Sequence, residues 1–78
     1  MSSAGQSMKE YLVVFEWTGN NFSAYVPDLP GCISTGKTVD ETEQNIKEAI
    51  SLYIETIRES GEAVPEPKTT AKPVTVAA

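Results

Sequence analysis

The chain has 78 residues, a net charge of −5 and no histidine. That length holds one small domain, and the acidity disfavours binding to a phosphate backbone by this chain alone. Without histidine, the commonest general base, the usual partner of a serine or cysteine nucleophile and a frequent transition-metal ligand are all missing.

Residues 1–9 lack the apolar centre of a signal peptide and read as a flexible tail. The α/β domain is expected over residues 10–61. Tyr11 to Trp17 is β-branched and aromatic, a strand signal. Phe22 to Val26 alternates as a half-buried strand does. Thr18-Gly19-Asn20-Asn21 lies between them, and Gly19-Asn20 suits a two-residue type II′ or I′ hairpin turn. That turn places Trp17 opposite Phe22, Phe15 opposite Ala24 and Val13 opposite Val26. One face of the hairpin is then Val13, Phe15, Trp17, Phe22, Ala24 and Val26, wholly apolar. The other carries Leu12, Val14, Glu16, Ser23 and Tyr25. A one-residue slip would scramble this separation, so the pattern supports the register.

Pro27 cannot donate to a ladder and should end the second strand. Pro30-Gly31 suits the central positions of a type II turn. The single Cys32 forms no internal disulfide, which fits a reducing cytoplasm. With no base to activate it, it reads as a structural thiol. Cys32 to Thr35 is long enough for a short third strand, and Gly36 is expected to permit a sharp change of direction. Thr38-Val39-Asp40-Glu41 is a capping box, and a helix should run from about Val39 to Ser60 with Gly61 after it. Val39, Thr42, Ile46, Ala49, Ile50, Tyr53, Ile54 and Ile57 form its apolar stripe. Residues 62–72 are proline-rich and read as an extended linker, and residues 73–78 as a short final strand or tail. No run of about 20 apolar residues is present for a membrane span. The result is an α+β fold of order β-β-β-α-(β): an antiparallel hairpin sheet with one helix on one face.

The runs Tyr11-Leu12-Val13-Val14-Phe15-Glu16 and Phe22-Ser23-Ala24-Tyr25-Val26-Pro27-Asp28-Leu29-Pro30-Gly31-Cys32 carry a resemblance. With Gly36, Thr38, Asn45 and Glu48-Ala49-Ile50, they resemble the N-terminal domain of HicB-type antitoxins from about Tyr11 to Pro67. The Val-Pro-Asp-Leu-Pro-Gly-Cys run is the most specific part. The resemblance implies a partial ribonuclease H-like fold. It also implies a protein that binds and neutralises a HicA-like toxin, a small basic ribonuclease that cleaves mRNA. Family members often add a C-terminal DNA-binding module. The proline-rich stretch after Gly61 offers no such helix, so direct DNA binding is not expected.

One helix covers one sheet face, so Leu12, Val14 and Tyr25 are left as a face for a partner or a second copy. Contacts with a toxin are expected at Glu16, Tyr25, Asp28, Leu29 and Pro30, with Leu29 as an apolar knob and Asp28 as an acidic contact on a loop stiffened by two prolines. Occlusion of the toxin's RNA-binding surface and catalytic residue would then be the mechanism. The alternative is a stand-alone oligomeric scaffold or regulatory subunit, a dimer or tetramer, without a toxin. The acids of the chain fall in no convergent set of the kind two-metal nucleases need. No catalytic residue, metal or cofactor is therefore expected, and the location expected is cytoplasmic.

Overall fold

The turn at Thr18–Asn21 sets the register of the whole sheet in the computed structural model, which describes residues 8–78. Most of the tail expected over residues 1–9 lies outside the described residues. Gly19 has φ +104°, while Asn20 keeps a negative φ, the pattern of type II′ rather than I′. The Thr18 amide donates to the Asn21 carbonyl at 2.8 Å. Strands β1 (Val14–Trp17) and β2 (Phe22–Tyr25) then pair antiparallel, with Trp17 opposite Phe22 and Phe15 opposite Ala24. This is the register the alternation predicts.

The first strand is shorter than its composition suggests, and Pro27 explains why. Hydrogen-bonded pairs alternate along an antiparallel ladder. Counting from Thr18–Asn21, the exchanging pair beyond Val14–Tyr25 would be Leu12–Pro27, and Pro27 has no N–H. The ladder therefore stops, and Tyr11 to Val13 continue without strand pairing.

Two turns then run back to back. The Leu29 amide donates to the Val26 carbonyl at 3.0 Å, and the Cys32 amide to the Leu29 carbonyl at 3.0 Å. Gly31 has φ +83° in the second, as a type II turn requires. Strand β3 (Ile33–Gly36) starts one residue later than expected and pairs with β2, giving the order β1-β2-β3.

Helix α1 (Val39–Glu59) begins at Thr38, whose hydroxyl accepts from the Glu41 amide at 3.0 Å. It ends at Ser60 with Gly61 at φ +81°. The helix crosses β2 and β3 and makes little contact with β1. Ala24, Val26, Leu29, Cys32 and Ile46 form the buried centre, with Val13, Phe15, Ala49, Ile50 and Tyr53 packed around it. Trp17 departs from the expected core: it is 59% exposed, because the helix does not reach the hairpin end. It stacks edge to face on Phe22 at 5.1 Å.

Gly36 departs from expectation in another way. Its φ is not positive. A Cβ there would lie 2.5 Å from Thr42 Oγ1 and 2.8 Å from the Thr42 amide nitrogen. Glycine is present because β3 and α1 approach closely. Residues 62–78 contain no regular secondary structure, and 73–78 pair with no strand among the described residues.

Candidate protein-binding face

The sheet presents its uncovered side through alternation. Val14, Glu16, Ser23 and Tyr25 point away from the helix, and the third strand adds Ile33 opposite Tyr25 and Thr35 opposite Ser23. Tyr25 is 39% exposed and Ile33 66%. Leu12 and Val14 are half-buried and Glu16 is exposed. The result is an apolar strip with a phenol and a carboxylate on it. Ile33 also lies on the lip of an apolar groove formed by Cys32, Ala49, Leu52, Tyr53 and Ile57, and Leu52 is 63% exposed. Sheet face and groove therefore join at Ile33. Sequence reading missed Ile33, Thr35 and Leu52. The signal for Ile33 was its place two residues after Gly31, which puts it across from Tyr25.

The residues expected at a partner contact fall in four different settings. Glu16 and Tyr25 share the open face. Leu29 is fully buried: as the residue common to both turns it is directed inward, so it is a core residue and offers no knob. Asp28 is engaged within the chain. Its carboxylate accepts from the Lys68 and Thr69 amides and the Thr69 hydroxyl, each at 2.9 Å. Those backbone hydrogen bonds, Thr69 first, hold its carboxyl below the ordinary carboxylate range. Pro30 is exposed at the turn, and its carbonyl accepts from the Tyr53 hydroxyl at 3.0 Å.

Asp28 thus forms part of a clasp that sequence reading did not anticipate. The Tyr11 hydroxyl donates to the Pro65 carbonyl, and burial raises the Tyr11 pKa. Lys9 pairs with Glu66 at 3.0 Å. Cys32 is buried and free, and burial pushes its thiol up, away from the thiolate a nucleophile needs. Among the described residues, no three acid or cysteine side chains are grouped to hold a metal ion, and no helix is long and apolar enough to cross a membrane.

A UPF0150 protein of Thermoplasma acidophilum is 40% identical over 58 residues, 74% of this chain and 84% of that protein. A UPF0150 protein of Synechocystis is 35% identical over 77 residues, 97% of this chain and 98% of that protein. An uncharacterized 14.9 kDa protein of Haemophilus phage HP1 is 41% identical over 56 residues, 72% of this chain. The chain spans only 42% of that phage protein's length. Among solved structures, a chain of the HicA3 and HicB3 toxin-antitoxin complex superposes with a TM-score of 0.65 at 32% identity. The match covers 76% of this chain and 70% of that one. The family model described as HicB_like antitoxin of bacterial toxin-antitoxin system matches residues 11–76. The chain therefore belongs to the HicB-like antitoxin family.

Proposed function

We propose that the protein binds and neutralises a small, basic, mRNA-cleaving toxin of the HicA type, in the cytoplasm. The similarity to a chain of a solved toxin-antitoxin complex carries this reading. The open sheet face supports it. Tyr25 and Ile33 give an exposed apolar centre with an aromatic anchor of the kind that dominates interface cores, and Glu16 gives a charge suited to a polar rim. A net charge of −5 attracts a basic partner and speeds encounter.

The mechanism is occlusion. An acidic domain seated on the toxin's RNA-binding surface excludes the phosphate backbone by volume and by like charge. No chemistry on the antitoxin is needed. The contact set is Glu16, Tyr25 and Pro30, extended by Ile33 and Leu52.

Calorimetry with a HicA-type toxin tests the assignment. Tyr25→Ala should weaken binding by about 2 kcal/mol, roughly thirty-fold in Kd, with the circular dichroism spectrum unchanged. Full affinity in well-folded Tyr25→Ala and Ile33→Asp proteins would place the toxin elsewhere.

A further inference from the structure

The third strand leaves its outer edge open. The Val26 amide donates to the Cys32 carbonyl at 3.2 Å, so the pairs that exchange hydrogen bonds between β2 and β3 are Ala24–Ser34 and Phe22–Gly36. The backbone groups of Ile33 and Thr35 therefore point outward. Asn45 Nδ2 reaches round to the Thr35 carbonyl at 2.8 Å. The Ile33 N–H and C=O and the Thr35 N–H are left for an incoming strand. Sheet edges are ordinarily guarded by a charge, a proline or a bulge. Ile33-Ser34-Thr35-Gly36 carries no charge and no proline, and its register with β2 is unbroken.

Apolar surface flanks this edge on both sides. On the open face Ile33 lies across from Tyr25. On the helix side Leu52, Tyr53 and Ile57 line the groove that ends at Ile33. Ile33 and Leu52 are exposed, and Tyr53 and Ile57 half-buried, so an added strand has accessible surface to cover. The outer flank is acidic. Glu48 and Glu55 lie one helical turn before and after Leu52, and Glu59 one turn after Thr56, all on the same side of α1. These acids are exposed, and among the described residues none of them is in a salt bridge. Lys47 and Arg58 fall on the other side of the helix.

We propose that the partner adds a strand to the outer edge of β3, paired with the backbone of Ile33 and Thr35. The inference rests on the toxin reading and states how that toxin is held. The occupant is an extended apolar segment flanked by lysine or arginine. Alternate side chains cover Leu52 and Ile57 on one side and Ile33 on the other, and the cations meet Glu48 and Glu55. Main-chain pairing supplies affinity, and the groove and its acidic flank supply choice of partner. A nucleic-acid strand does not fit, because the same acids repel phosphate.

Amide hydrogen exchange on the wild-type chain, alone and with a HicA-type toxin, tests this without a variant. The Ile33 and Thr35 amides should exchange freely in the chain alone and slow by about ten-fold or more in the complex. The Ser34 amide, already paired with β2, should be slow in both. Calorimetry on Thr35→Pro gives a second readout. The Thr35 N–H points outward, so proline removes an edge donor and no bond of the existing ladder. Toxin affinity should fall about ten-fold with the circular dichroism spectrum kept. Thr35→Ala keeps the N–H and should bind within about three-fold of wild type. Glu48→Lys/Glu55→Lys should slow association and flatten its salt dependence. A toxin that binds while the Ile33 and Thr35 amides exchange as before would overturn the edge pairing alone. No toxin binding to the wild type would overturn the toxin reading together with it. Protection of both amides in the free chain, growing with concentration, would give the edge to a second copy and overturn the proposal.

Discussion

Replacing Gly36 with alanine tests the close approach of β3 to α1. The added methyl would meet Thr42 Oγ1 at 2.5 Å, the Thr42 nitrogen at 2.8 Å and the Thr42 Cα at 3.0 Å. Two of these atoms are backbone, so no rotamer change relieves them. Strand β3 or the first turn of α1 must move, and Thr42 is fully buried there. Overpacking of this kind costs about 1–3 kcal/mol. At roughly 4–8 °C per kcal/mol for a domain this small, Gly36→Ala should lower Tm by about 4–24 °C. Gly61→Ala is the internal reference: it has open space but φ +81°, at a cost of about 1–2 kcal/mol. Thr42→Ala removes only the oxygen contact. The Gly36→Ala/Thr42→Ala pair should therefore be less destabilised than the sum of its single changes, yet not restored. Thermal and urea unfolding followed by circular dichroism would measure all four proteins. A Gly36→Ala change within about 0.5 kcal/mol of wild type would refute the close β3–α1 packing.

Other outcomes follow from the same geometry. Leu29→Ala should cost about 2–5 kcal/mol in urea unfolding, because a fully buried side chain is removed; a surface knob would cost almost nothing. Asp28→Ala should release the clasp and speed amide exchange at Lys68 and Thr69 while leaving the sheet amides protected. The pH dependence has a definite sign. The Asp28 carboxyl is held below its unfolded value, so the clasp is at full strength above the ordinary carboxylate range. It weakens as pH falls through the lowered folded value, and exchange at Lys68 and Thr69 should rise only in strongly acidic solution. Cys32 should resist a thiol reagent at neutral pH until urea unfolds the chain, since it is buried and its thiol is shifted upward.

The hairpin was legible because turn chemistry and alternation agree. Gly19 permits the turn, and only one register keeps Phe15 and Ala24 together on the apolar face. The helix was legible from the Thr38 cap and the Thr42, Ile46, Ala49, Tyr53 spacing. Where the reading failed, the cause was tertiary. Leu29 looks like a loop residue, and only the doubled turn directs it inward. Trp17 follows the apolar period, but the period does not say how far a helix reaches across a sheet. Gly36 reads as a hinge in one dimension, yet it is the proximity of Thr42 that requires it. The clasp joins Asp28 to Thr69 across 41 positions, beyond any local pattern. At the candidate site, Glu16 and Tyr25 were found through β-strand alternation. Ile33 was not, because its neighbour on the face is set by the β2–β3 register.

An RNA-cleavage titration reads neutralisation of a toxin without an intermediate step. A HicA-type toxin is incubated with mRNA while this chain is added in steps. Cleavage should stop near equimolar chain, and Tyr25→Ala should require a large excess. Undiminished cleavage at saturating, folded wild-type chain would contradict neutralisation.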